Sequence, residues 1–185
     1  MARLIGGMFV GLALGIVIAL AAVWKLSGGW MFEERESPFT VEETVARIQH
    51  NVVAAGNGWS LSGLRYPTRP LEAEGINALP AMLIEACSTK YSGPILQDDR
   101  LRFLSLLMPC KIGVYKKSDG KVYIGILNAG LIGGLFGSKV GDIMGHVVKD
   151  QENFLVMDPA KPAPPLILPK AGSEGGAGGG AAGGC

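Results

Sequence analysis

The sequence predicts an α+β domain, with an antiparallel sheet and helices packed on one face, behind one N-terminal transmembrane helix. Three observations support this prediction. Residues 4–24 carry no charge, residues 110–126 contain two strand-like runs around a tight turn, and residues 40–52 and 140–147 repeat apolar side chains at helical spacing. Helix, strands, short helix, hairpin and helix follow one another along the chain, whereas a parallel sheet would require regular alternation of strand and helix.

Composition excludes several classes of protein. The 185 residues are 48% hydrophobic, and 17 basic side chains against 16 acidic ones leave a net charge of +1. A chain this close to neutral lacks the basic surface that binds nucleic acid, so we expect no nucleic-acid partner. Three cysteines and two histidines are too few for a disulfide scaffold, and no multi-cysteine zinc pattern is present.

The uncharged segment 4–24 has the length of a membrane anchor. Twenty-one residues at 1.5 Å each span roughly 30 Å, the thickness of the hydrocarbon core of a bilayer. Arg3 and Lys25 bracket it, and Trp24 lies where interfacial aromatic residues are favoured. We therefore predict an uncleaved anchor over 1–25, with a short cytoplasmic stub and the remaining chain exported.

Three glycines recur every fourth residue within this anchor, at Gly7, Gly11 and Gly15. Such a stripe lets a second transmembrane helix approach closely. The general frequency of glycine in membrane helices explains it as well, and we favour that explanation slightly. The membrane is the predicted partner, with another membrane protein or complex as a further candidate.

The rest of the chain divides by composition into a connector (26–39), a folded domain (40–157) and a tail (158–185), which is rich in proline and then in glycine and alanine. Thr40 and Glu43 form a capping box at the start of the first domain helix. Strands are predicted at 59–67, 81–86, 110–115 and 121–126. A short helix is predicted after Gly93-Pro94 and a glycine-rich loop at 129–138.

Three stretches carry a resemblance to a known family: IEACSTKYSGPILQDD, LLMPCKIGVYKKSDGKVYIGILN and GSKVGDIMGHVVKDQENFL. Over residues 40–156 the chain resembles the DUF302 family of small α+β domains. The resemblance implies the fold, a subset with cysteine at positions 87 and 110, and a place on the periplasmic side of bacteria with sulfur or respiratory redox metabolism. It implies no catalytic residues.

Cys87 and Cys110 are the candidate thiol or redox residues. Cys110 is in phase with Ile112 and Val114, so it should face the core, where a free cysteine behaves as a small hydrophobic residue. Alternatively, the two cysteines form a structural disulfide or an active thiol pair. Met108, Met144 and Met157 add soft ligands suited to copper(I), although core packing explains them equally.

Two further sets of residues are weaker candidates. His146 and Asp142 lie on the polar face of the last helix together with Asp150, where a solvated face explains them better than a metal site. No metal site is therefore assigned. The glycine-rich loop satisfies neither the P-loop pattern nor the dinucleotide pattern. We interpret its apolar side chains as a flexible flap over a ligand or partner surface: Leu131, Ile132, Leu135 and Phe136.

These observations predict a non-catalytic accessory or ligand-binding domain. It would be anchored by a single helix in the bacterial inner membrane, on the periplasmic side, beside a respiratory or photosynthetic complex. The alternative is a thiol-dependent redox or sulfur-handling protein that uses Cys87 and Cys110. The sequence assigns no cofactor.

Overall fold

The computed structural model describes residues 2–168 and, within the first helix, the side chains of 11–12, 14–23 and 29–31. The helices in this range are α1 (Ala2–Met31), α2 (Val41–Ala54), α3 (Arg69–Ala73), α4 (Thr89–Leu96), a 3-10 helix (Arg102–Leu107), α5 (Ala129–Leu135) and α6 (Ser138–Phe154). The strands are β1 (Phe32–Ser37), β2 (Trp59–Arg65), β3 (Ala81–Ser88), β4 (Cys110–Lys116) and β5 (Val122–Leu127).

The five strands form one antiparallel sheet in the order β1-β5-β4-β3-β2. The predicted α+β fold is therefore confirmed. In the central hairpin Val114 pairs with Ile124 and Ile112 with Ile126, so the apolar faces of both strands coincide as expected. Gly120 at the turn has a φ of 83°, the left-handed conformation for which glycine is preferred.

The core lies between this sheet and helices α2 and α6. Ile48 of α2, Ile84 and Ile112 of the sheet and Phe154 of α6 are at most 1% exposed. Thr40 caps α2 by accepting a hydrogen bond from the Glu43 amide at 3.2 Å. The helix follows from its sequence, because the stripe of apolar residues and the cap both act at the expected positions.

The segment expected to be a connector contains strand β1. Its residues Phe32–Ser37 pair with β5 along the sheet edge, and Arg35 donates two hydrogen bonds to Glu152 of α6, at 2.7 and 2.5 Å. An edge strand does not need a continuous apolar face, so the charged sequence FEERES gave no signal of alternating hydrophobicity. The folded unit therefore begins before residue 40.

The first part of the proline-rich tail, residues 158–168, packs against α2. Gln49 exchanges two hydrogen bonds with the backbone of Ile167, at 2.8 and 2.9 Å, and Arg47 donates to the carbonyls of Asp158 and Lys161. Leu166 packs against the core. Residues 158–168 are thus not a free spacer. Residues 169–185, with Cys185, lie outside the described part of the chain.

Two elements differ from the expectation near the glycine-rich segments. Helix α4 starts before Gly93-Pro94 and not after it. The predicted loop over 129–138 contains helix α5, whose first turn is capped by the Asn128 side chain accepting from the Leu131 amide at 3.0 Å. A Cβ on Gly133 would lie 2.5 Å from the Cβ of Met144. Glycine is needed here because α5 and α6 approach so closely.

Helix α1 leads directly into the domain. The Asn128 amide donates a hydrogen bond of 2.8 Å to the carbonyl of Met31, which joins the end of α1 to the start of α5. Within the described residues, no helix reaches the combination of length and hydropathy needed to cross a bilayer. Of the three glycines predicted to pack against a second helix, Gly7 lies outside the residues whose surroundings the structure describes. Nothing lies within 4 Å of the Cβ positions of Gly11 and Gly15.

Candidate functional site

A cavity of about 260 Å³ opens between one end of the sheet and the surrounding helices. Its walls come from the end of β3, the start of β4, helix α4, the 3-10 helix, and helices α5 and α6. For comparison, an engineered apolar cavity of about 150 Å³ binds benzene. This space is therefore large enough for a small organic molecule, and most of its lining is aliphatic or aromatic.

One wall of the cavity is formed by two aromatic rings held by a carboxylate. The indole nitrogen of Trp59 and the hydroxyl of Tyr91 both donate to Oδ2 of Asp150, at 2.8 and 2.9 Å. The two rings meet edge to face at 5.9 Å. Burial and the hydrogen bond to Asp150 both raise the pKa of Tyr91. Asp150, which the sequence placed on a solvated ridge, therefore fixes the shape of the cavity wall.

Cys87 and Cys110 both line this cavity, but no disulfide joins them, because Cys110 is a free thiol. In the sheet, Ala86 is paired directly with Cys110, so these two residues share a face. Side chains alternate along a strand, which directs Cys87 to the opposite face. The two cysteines therefore border the same cavity from neighbouring strands, but their side chains are not oriented for a bond between this pair.

The Cys110 thiol packs against the core, as its phase with Ile112 predicted. Burial raises its pKa to about 11, and the positive charge of Lys111 only partly opposes this effect. The thiol is consequently neutral at physiological pH, whereas nucleophilic cysteines have a lowered pKa. Met108 and Met144 line the same cavity, so with Cys87 and Cys110 four sulfur-containing residues border it.

Two polar side chains in the cavity wall have unused hydrogen-bonding capacity. Ser92 of α4 and Gln151 of α6 are 5% and 4% exposed, and neither side chain has a hydrogen-bond partner within the described part of the chain. Ser62 is the one described residue with a fully enclosed unpaired side-chain atom, so the polar atoms of Ser92 and Gln151 still reach open space. Both residues also line the cavity.

The predicted flap residues lie in α5 or, for Phe136, directly after it, and they separate into two sets. Ile132 and Phe136 line the cavity, whereas Leu131 and Leu135 are exposed. Exposed apolar side chains of the 3-10 helix lie at the same cavity, and the ring of Phe103 contacts that of Phe136 at 5.7 Å. Two exposed leucines of the 3-10 helix line the cavity, and we call them the apolar rim: Leu106 and Leu107.

The weak metal candidates do not come together. Asp142 and His146 are both exposed on α6, and the His146 ring stacks on Tyr91 with a centroid distance of 6.3 Å. Across the described residues, no group of three His, Cys, Asp or Glu side chains could hold a metal ion. The soft donors at the cavity, Met108, Cys110 and Met144, are the set best suited to copper(I).

Sequence reasoning missed the polar residues of the cavity. One signal could have indicated Gln151, because it continues the buried stripe of α6 four residues after Val147. A polar residue on a buried stripe needs a partner or a function. Ser92 gave no comparable signal, since α4 was not placed correctly and the segments that meet at the cavity are far apart in the chain.

Comparison with known proteins agrees with this fold. A crystal structure of an "uncharacterized conserved protein DUF302" from Bacillus stearothermophilus superposes with a TM-score of 0.59 and 18% sequence identity, covering 68% of this chain and 95% of that one. No curated protein matches the chain significantly. The sequence profile of "Domain of unknown function DUF302" matches residues 33–155, which include all but the first residue of strand β1 and the whole of α6. The chain therefore belongs to the DUF302 family.

Proposed function

We propose that this chain is a membrane-anchored, non-catalytic binding module whose cavity takes a small, mainly apolar molecule. The observation that carries this proposal is the cavity itself, about 260 Å³ in volume and bordered by the apolar rim. Concave apolar sites with few polar groups are typical of small-molecule binding. Exposed apolar side chains around a mouth are costly in water unless they meet a partner or a lipid surface.

The proposed membrane anchor would bring the cavity near the bilayer. The uncharged segment 4–24 supplies an anchor of the right length. Its helix ends at Met31, whose carbonyl is bonded to Asn128 at the start of the cavity-lining helix α5. With this anchor in a membrane, a molecule dissolved in the bilayer would be close to the cavity. We place the domain on the periplasmic side of a bacterial inner membrane, and the open positions at Gly11 and Gly15 suit a neighbouring membrane subunit.

The alternative, a thiol-dependent redox or sulfur-handling reaction, has less support. It requires an ionised or readily oxidised thiol, whereas burial raises the pKa of Cys110 to about 11 and no disulfide joins Cys87 to Cys110. We therefore favour binding over reaction at this cavity.

Quenching of Trp59 fluorescence tests the binding proposal. Replacing Trp24 and Trp30 by phenylalanine leaves Trp59 as the only tryptophan of the chain, and bromine quenches a tryptophan that it contacts. In phosphatidylcholine vesicles we expect 1-bromooctane to quench Trp59 saturably, because this ring lines the cavity.

A filled cavity provides the matched control. Ala129→Phe introduces a ring into the wall and should abolish saturable quenching, whereas Ala54→Phe, at an exposed position, should not. Thermal unfolding of each variant establishes that it is folded. Quenching that rises linearly with probe concentration, and equally in all three chains, would contradict binding in the cavity.

A further inference from the structure

We infer that the cavity selects uncharged amphiphiles, whose polar group hydrogen-bonds to Gln151 and Ser92 while the apolar part fills the remaining space. This inference rests on the proposed binding function and specifies its ligand class. It starts from two polar side chains that are at least 95% buried and have no hydrogen-bond partner among the described residues. Leaving such groups unpaired is unfavourable, so a bound polar group would restore their lost hydrogen bonds.

The chemistry of the two side chains defines the complementary group. An amide both donates and accepts, and a hydroxyl does the same. Together they suit a ligand group with an uncharged oxygen or nitrogen, such as an amide, alcohol or carbonyl. Neither side chain carries a charge that could compensate a buried carboxylate or ammonium.

The surrounding lining also disfavours a charged ligand group. Lys111 is the one charged residue among the described side chains of the cavity wall; it is exposed, and its ammonium donates to the Pro109 carbonyl at 3.3 Å. Asp150 lies behind the wall, where its carboxylate already accepts from Trp59 and Tyr91. A charged head group would therefore remain at the mouth beside Lys111, and only an uncharged one would reach Gln151 and Ser92.

Three brominated probes with the same chain length test the inference in the single-tryptophan chain. They are 8-bromooctanamide, 8-bromooctanoate and 1-bromooctane. Their affinities are compared between the single-tryptophan chain with an unaltered cavity and the same chain with a cavity substitution. We expect Gln151→Leu and Ser92→Ala each to weaken binding of the amide about tenfold, the cost of one lost hydrogen bond. Affinity for 1-bromooctane should stay unchanged or improve, since that probe has no polar group to bond.

Matched variants outside the cavity control for indirect effects. Gln97→Leu and Ser105→Ala change the same residue types at exposed positions and should leave all three affinities unchanged. Retained binding of 1-bromooctane also shows that Gln151→Leu and Ser92→Ala are folded.

The possible outcomes separate the two proposals. If the amide binds as well to the Gln151→Leu and Ser92→Ala cavities as to the wild type, the inference is overturned and the binding function stands. If the carboxylate probe binds more tightly than the amide, and Gln151→Leu and Ser92→Ala weaken its binding, the preference for uncharged groups is overturned. If no probe quenches Trp59 saturably, the binding function itself fails.

Discussion

Phe154→Ala should lower the free energy of unfolding by about 3–5 kcal/mol, the range found when a buried aromatic residue is truncated. Phe154 is 1% exposed, and its ring meets Trp59 edge to face at 5.0 Å with an interplanar angle of 88°. Truncation would remove apolar contacts and leave a void beside Trp59, which lines the cavity. The binding site and the core share this aromatic cluster, so we expect loss of 1-bromooctane binding together with loss of stability.

Denaturant unfolding of the detergent-solubilised chain, followed by tryptophan fluorescence, measures the effect. Phe103→Ala is the matched control because it removes the same ring from a position that is 54% exposed. Its effect should be below about 1 kcal/mol, as for most surface substitutions. Equal destabilisation by both substitutions would show that the core is not organised around Phe154.

Alkylation of Cys110 by iodoacetamide should be about two orders of magnitude slower at pH 8 than alkylation of a free thiol with a pKa of ~8.5. The reacting species is the thiolate, and burial raises the pKa of Cys110 to about 11. The rate should rise about tenfold for each pH unit up to about pH 11, because the thiolate fraction rises in that proportion below the pKa. Mass spectrometry of the peptide that contains Cys110 assigns the reaction to this residue.

Glutathione in the same solution and the urea-unfolded chain are the two references for this rate. Both should react at the rate of an ordinary exposed thiol. Alkylation of native Cys110 as fast as that of glutathione at pH 8 would support the thiol-dependent alternative and weaken the binding account.

Local patterns in the sequence predicted the central elements of the fold. The cap at Thr40, the apolar stripe that includes Ile48, and the turn at Gly120 each act within a few residues, so their effect could be read directly. Strand β1 could not be predicted in this way, because its pairing with β5 and the Arg35–Glu152 contact depend on segments far away in sequence.

Helix α5 illustrates a tertiary contact that overrides a local preference. Glycine disfavours a helix, so residues 129–138 read as a loop. The close approach of Gly133 to Met144 requires glycine at that position, and the Asn128 cap closes the first turn. Likewise, the two hydrogen bonds between the Gln49 side chain and the Ile167 backbone join segments that are far apart in sequence, so local patterns could not predict them.

The candidate site was predictable only in part. Cys110, Ile132 and Phe136 were expected near a functional surface, and all three line the cavity. The sequence could not show that Leu131 and Leu135 would point away from the cavity. This segment was predicted to be a loop, so no helical face could be assigned to it. Gln151 was detectable as a polar residue on a buried stripe, whereas the role of Asp150 in holding Trp59 and Tyr91 depends on three separate elements.

The mass spectrum of the intact chain, released gently from its own membranes under non-denaturing conditions, tests the central claim most directly. We expect the full chain to require detergent for extraction and to carry one small, uncharged molecule. The Ala129→Phe chain should lose that molecule, and the Ala54→Phe chain should keep it. Two results would contradict a membrane-anchored binding module. One is recovery of the full chain without detergent. The other is a wild-type chain that, like the Ala129→Phe chain, shows only the mass of the polypeptide with no bound molecule.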